Sequence, residues 1–324
     1  MLPAMVLCLF GRVLFYMDTT EKILEIKVPF TKGSLSFRAQ AELLLQRGLV
    51  CNDKEQLIDS LRHYNYYRLS GYCLSFEQSR HQFLPGVTFE DLAAAYEFDR
   101  KLRKIVMESL ELIEIQLRTS VAYQLAEGYE PFAHEKRAYL HIGEEEFKKW
   151  LELIHSTAID SKEIFVRHFK KKYTDFPRLP IWILVEILSF GALSHLFSYL
   201  KKVDQKIISK QFGIPLTIFQ NWLHHFAYLR NICAHHSRLF DKTFSIKPRS
   251  FHSDPKDFPP GKIVFSLLTI RSILRAQCFP QPVVREWRRK IEDLFANPPH
   301  INNFYEVVGS PVLGDAWLDS SFWK

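Results

Sequence analysis

Glycine is scarce in this chain, with 12 among 324 residues. That scarcity, beside long runs in which apolar and charged residues recur at helical period, favours helices over sheets. Cysteine is sparse too. Cys8, Cys51, Cys73, Cys233 and Cys278 are odd in number, and no two share a CxxC spacing. This argues against a disulfide framework or a zinc knuckle and suits a reducing, cytoplasmic compartment. There is no HExxH, and the adjacent pairs His224-His225 and His235-His236 diverge by about 100° on a helix, a poor chelate. No metal and no cofactor are therefore expected. Long apolar runs are missing as well. The most apolar stretch, MLPAMVLCLFGRVLFYM at residues 1–17, is short for a membrane span and is interrupted by Arg12. It also lacks the basic start and small-residue cleavage site of a secretory signal, so no stable membrane insertion is expected. Residues 1–36 read as an extension and lead-in. Met17, followed by DTTEKILEIK, is an alternative start, and a membrane-associating helix is the other reading of the apolar residues.

What the chain does have is enough apolar material, 47%, for a sizeable core, and a formal charge of +7 that weakly favours a polyanionic partner. Ser36 is a plausible cap for a short helix FRAQAELLLQRG ended by Gly48, and Asp53 for a second, KEQLIDSLRHY. The aromatic-basic run YNYYRLSGYCLSF follows, closed by Pro85-Gly86. A long helix is predicted next. No Pro and no Gly interrupt it before Gly128, and Leu102, Ile105, Val106, Leu110, Ile113 and Leu117 recur at three- and four-residue steps. It is either kinked or the spine of a bundle. Pro180 opens IWILVEILSFGALSHLFSYLKK, which is apolar nearly all round and is expected to be buried. Pro215 opens LTIFQNWLHHFAYLRNICAHHSRLF, and further helices are expected over 261–278 and 286–296. The predicted architecture is all-α. Residues 37–86 form a small N-terminal module, 87–250 a helical bundle, and 251–324 C-terminal helices and a tail.

The helix around Arg230 carries the chemistry. Continued to residue 240, it gives one stripe of Trp222, Phe226, Leu229, Cys233, His236 and Phe240 at 4-3-4-3-4 spacing. That stripe predicts a core face, with His236 as a hydrogen-bonded structural histidine. Arg230, Asn231, Ala234, His235 and Arg238 fall on a second stripe within about 140° of arc. Two guanidiniums, an amide and an imidazole are costly to bury unpaired, so that stripe is either solvated or a site. An imidazole exchanges protons near neutral pH, and a guanidinium clamps phosphate through parallel hydrogen bonds. RNA carries its own nucleophile, the 2′-hydroxyl, so Arg and His suffice for metal-free transesterification.

The longer string YLRNICAHHSRLF, residues 228–240, resembles the Abi-like family of abortive-infection proteins of the AbiD and AbiF type, within the HEPN superfamily. Ribonucleases of that superfamily carry an Arg-polar-x(3–5)-His signature, which Arg230, Asn231 and His235 match. YNYYRLSGYCLSF at 64–76, LIEIQLRTSVAY at 112–123 and PIWILVEILSFGALSHLF at 180–197 resemble further motifs of the family in the same order. Phe240 departs from the pattern, where Trp is common, as does Cys73 in the Tyr-rich motif. The resemblance implies a HEPN-type helical bundle that cuts RNA without metal, leaving a 2′,3′-cyclic phosphate and a 5′-hydroxyl. It also implies a homodimer pairing two Arg/His sets, and a toxin restrained by an antitoxin or a small RNA. The alternative is a non-catalytic RNA- or protein-binding module on the same fold.

Other residues stand as support for such a site. Glu186, the one acid of its apolar helix, needs a partner if buried, and Arg230 is the candidate. Glu114 and Arg118 stand at i, i+4, the spacing of a simple helix-surface pair, and a structural role is favoured for them. Arg118 remains an RNA-contact candidate through its place in the family motif. Tyr64, Tyr66, Tyr67, Arg68 and Tyr72 interleave aromatic and basic groups as an RNA-stacking surface does, and equally as a small aromatic core does. Lys170, Lys171 and Lys172 read as a solvated basic face.

Overall fold

The computed structural model describes residues 33–250, 258–310 and 316–319, together with Pro29, Thr31 and Trp323; the apolar segment 1–16 lies outside them. The fold is all-α, with 13 α-helices among the described residues and one two-stranded hairpin. In chain order the helices are α1 (Phe37–Gln46), α2 (Lys54–Tyr64), α3 (Tyr66–Cys73), α4 (Phe89–Gly128), α5 (Glu144–Asp160), α6 (Ile164–Lys172) and α7 (Ile181–Ile187). There follow α8 (Phe190–Tyr199), α9 (Lys202–Gln211), α10 (Leu216–Ala234), α11 (Ile263–Leu274), α12 (Gln281–Phe295) and α13 (Phe304–Val308). The hairpin, β1 (Glu77–Ser79) and β2 (Gln82–Phe83), joins α3 to α4. Among the described residues no helix is long and apolar enough to cross a membrane, and no group of three His, Cys, Asp or Glu is arranged to hold a metal ion.

The helix starts follow from their caps. Ser36 accepts from Ala39 N at 3.2 Å, and Asp53 accepts from Gln56 N at 3.1 Å. Helix α4 opens on a reciprocal capping box between Thr88 and Asp91 and runs 40 residues without a break. It is the spine of the molecule, packing against α3 and against α7 through α12. Leu102, Val106, Leu110, Ile113, Leu117 and Val121 form its core stripe and are each 0% exposed. Burial of each such side chain stabilises the fold by about 1.5–3 kcal/mol. Ile105 is only partly buried, but its carbonyl accepts from Trp287 Nε1 at 3.0 Å, tying α12 to the spine.

The apolar run from Pro180 departs from expectation. It is two helices, not one, because the chain turns extended at Leu188 and Ser189 caps α8 through Ala192 N. The short α7 buries Ile181, Leu184 and Val185 and turns Trp182 and Glu186 outward. Glu186 is therefore exposed, not buried. A two-turn helix laid on α4 covers only one of its own faces.

Candidate functional site

Helix α10 buries Trp222, Phe226, Leu229 and Cys233 as its spacing predicts, then ends at Ala234. His236 takes a left-handed conformation, φ 55°. The Ser237 N–H returns to Ile232 O and the His236 N–H to Cys233 O, each at 3.0 Å, which is the Schellman closure of a helix. Past His235, whose N–H still bonds to Asn231 O at 3.0 Å, the helical wheel no longer applies. His236, expected on the core stripe, is exposed, and so is His235 beside it. Glycine normally marks such a stop; histidine is among the few other residues that tolerate the left-handed region, and its presence hid the stop. Burial pushes the Cys233 thiol up to about 12, so the motif's cysteine stays protonated and is no nucleophile.

The segment after the stop is pinned from two directions. Asp99 on α4 is fully buried; its Oδ1 accepts from Leu239 N at 3.0 Å and Phe240 N at 3.1 Å. Its Oδ2 accepts from the Tyr72 hydroxyl at 2.7 Å and from Arg103 Nη1. Burial raises the Asp99 carboxyl, opposed by Arg103, Tyr72 and the two N–H groups. From α3, Arg68 Nη1 donates to His236 O at 2.7 Å. In return Arg238 Nη1 donates to Gly71 O and to Asp241 Oδ2, its guanidinium 5.8 Å from the Tyr72 ring centroid. A Cβ at Gly71 would stand 3.4 Å from Arg238 Nε, an ordinary van der Waals contact.

Two depressions flank the end of α10. One, of about 550 Å³, is lined by His235, His236, Arg68, Arg238, Lys242, Asp241 and Tyr67 among others. Three permanent cations against one carboxylate leave it at +2 with both imidazoles neutral. Tyr67 is 86% exposed at its rim, whereas Tyr66 is half-buried and accepts from Arg47 Nη1 at 2.7 Å. The other, of about 340 Å³, is lined by Arg230, Arg118, Glu111, Glu114 and Glu186 with Met107 and Ile115. Two cations against three carboxylates leave it at −1. There Arg230 Nε lies 4.0 Å from Glu114 Oε2, and Arg230 Nη1 lies 3.4 Å from Asn231 Oδ1. The expected partner Glu186 shares the depression but makes no such contact, since its helix face points outward. Arg118 is no surface side chain. At 12% exposure it donates to Glu114 and to the carbonyls of Val185 and Leu188, clamping the end of α7.

A family model described as Abi-like protein matches residues 59–241. The chain belongs to the Abi-like family. Membership suggests a part in abortive-infection defence against phage. No curated protein and no solved structure gives a match. The matched span of this Abi-like protein begins inside α2 and ends at Asp241, so it takes in nearly all of both depressions and the Asp99 network between them.

The motifs of the Abi-like chain do not reveal Asp99, Arg103 and Tyr72 as a unit. A signal is present nonetheless. Ala95, Asp99, Leu102 and Val106 stand at 4-3-4 spacing, so an acid occupies a position of the apolar stripe. A buried carboxylate on such a stripe demands donors, and they come from elements remote in sequence. Lys170, Lys171 and Lys172 are exposed on α6, two of them over the rings of Phe176 and Tyr173.

Proposed function

We propose that this Abi-like protein is an abortive-infection endoribonuclease. The scissile phosphate sits in the depression that holds His235 and His236. One observation carries the reading: two exposed imidazoles share a cationic depression with Arg68, Arg238 and Lys242, beside the exposed ring of Tyr67. The cations attract phosphate, and the ring offers a stacking face to a base. In the reaction, a neutral imidazole takes the proton of the 2′-hydroxyl, and the 2′-oxygen bonds to phosphorus. The P–O5′ bond breaks, and a protonated imidazole gives its proton to the departing 5′-oxygen. The products are a 2′,3′-cyclic phosphate and a 5′-hydroxyl, with no co-reactant.

His235 is assigned the catalytic imidazole. The second comes from a partner copy across a two-fold axis, which would also bring Arg230 and Asn231 of one chain toward the phosphate of the other. Mixing wild-type with His235→Ala chains tests it: inactive mixed dimers support a pair of imidazoles shared across the axis, and activity retained in proportion to the intact chains gives the second imidazole to His236 of the same chain.

The deciding experiment is the chemistry of RNA ends after induced expression. Cyclic-phosphate ends that form in the presence of EDTA are expected. A 5′-phosphate product, or loss of cleavage with EDTA, would overturn the mechanism. Intact RNA that nevertheless co-purifies with the protein would favour the non-catalytic binding module.

A further inference from the structure

Helix α10 carries a second pattern that the motif does not use. Thr217, Asn221, His224, Tyr228, Asn231 and His235 stand at 4-3-4-3-4 spacing, and none of them is buried. They form one polar stripe along the length of the helix. Its C-terminal end is the proposed site. Its N-terminal end opens into a separate depression of about 440 Å³ between α8 and α10.

That depression is built for an anion. His195 on α8 and His224 on α10 face each other with ring centroids 6.2 Å apart. Thr217 and Arg249 complete the lining, the Ser198 hydroxyl being spent on His195 O at 2.7 Å, and no described residue lining it is acidic. Arg249 has an exposed side chain on a main chain that is held in place. Its backbone N–H donates to Asn221 Oδ1 at 2.6 Å, and its carbonyl accepts from Trp222 Nε1 at 2.9 Å. Two side chains of α10 thus fix the main chain of Arg249 at the mouth of the depression. Arg249 itself stands beyond the family match, which ends at residue 241.

We infer that the His195–His224–Arg249 depression is a second phosphate subsite for single-stranded RNA, and that the α10 stripe is the track leading from it to His235. The inference rests on the RNA reading of the His235 depression. His224 and His235 are 11 residues apart, about 16 Å along a helix. At a rise of roughly 3.4 Å per nucleotide along the axis of a stacked strand, that distance takes up about five nucleotides, and fewer if the strand is extended. Tyr228, half-buried between them, and Asn231 line the path. The subsite therefore recognises RNA length and not base sequence, since phosphate contacts position a strand without reading it.

The test uses fully 2′-O-methylated RNA, which cannot be cut, in anisotropy titrations with the full-length protein. A strand of about 12 nucleotides spans both depressions at that rise, and one of about 3 reaches only one. The His224→Gln/Arg249→Gln double variant is expected to bind the long strand about tenfold more weakly, while the short strand binds as to wild type. The slope of log K against log salt should flatten by about 0.7 for each phosphate that the variant no longer neutralises, a change that a merely structural role would not produce. Arg249→Lys should retain most of the affinity. Equal binding of the long strand by wild type and double variant overturns the second subsite and leaves the His235 reading standing. Failure of wild type to bind either strand overturns both. Both substituted side chains are exposed, so an unchanged melting temperature is expected and certifies the comparison.

Discussion

The guanidinium of Arg68 donates to the backbone carbonyl of His236 across 168 residues of sequence, at 2.7 Å. The bond joins the first residues of the family match to the last. It ties the aromatic-basic helix α3 to the turn that presents both histidines. The carbonyl it takes up belongs to a residue in left-handed conformation, where the chain has just left α10. Arg68 and Asp99 hold that turn from opposite sides, one at the surface and one in the core.

Removing Arg68 therefore separates function from stability. Arg68→Ala loses an exposed hydrogen bond, and its cost to folding is expected to stay within about 0.5 kcal/mol. The rate of RNA cleavage is expected to fall about tenfold, the equivalent of about 1.4 kcal/mol, and growth arrest on expression to weaken with it. A variant as toxic as wild type would show that the tie to His236 is dispensable.

Asp99 is expected to behave in the opposite way. Asp99→Ala leaves Arg103 without its carboxylate and two buried N–H groups without an acceptor. Loss of one member of a buried pair costs about 3–5 kcal/mol, which urea denaturation will read as a large fall in midpoint. Asp99→Asn keeps an acceptor oxygen and should fall between the two. A midpoint shift worth less than about 1 kcal/mol for the alanine variant would contradict the network.

His235→Ala is expected to relieve growth arrest with an unchanged melting temperature. His236→Ala is expected to cost about 0.5–1 kcal/mol, through the left-handed backbone that alanine tolerates less well and not through the ring, which is exposed and not part of the core stripe. Relief by the His236 variant alone, with His235→Ala still toxic, would transfer the catalytic assignment to His236.

Acid sensitivity is predicted from His225. The ring is fully buried; Nδ1–H donates to Ile246 O at 2.7 Å, and Nε2 accepts from Ser266 Oγ at 2.9 Å. Burial holds it down to about 4, against an ordinary value of 6.5. The folded state thus keeps it neutral where the unfolded chain binds a proton. Stability contributed by the neutral ring is fully present above pH ~6.5 and is lost as pH falls toward ~4, by on the order of 3 kcal/mol. His225→Asn should be less stable at neutral pH and lose less on acidification. Parallel stability-pH curves for the two proteins between those limits would refute the assignment.

Much of this was legible in the order of residues. The spacing of Leu102 through Leu117 gave the long helix and its buried face, Ser36 and Asp53 gave two helix starts, and the absence of glycine-rich turns gave the helical class. The string from Tyr228 to Phe240 located the segment that belongs to the family motif. These features are local, since a helix and its cap depend on residues three or four apart. Tertiary structure alone decided the rest. The left-handed residue at 236 closed α10 at Ala234 and turned both histidines to solvent. The packing of α3, α4 and α7 around that end set Arg230 among carboxylates and His235 among cations. It also brought Tyr72, Arg103 and the 239–240 backbone onto the buried carboxylate of Asp99. The physical reason is that burying Asp99 requires donors, and the stretch of sequence that holds it cannot say from which distant segments those donors come.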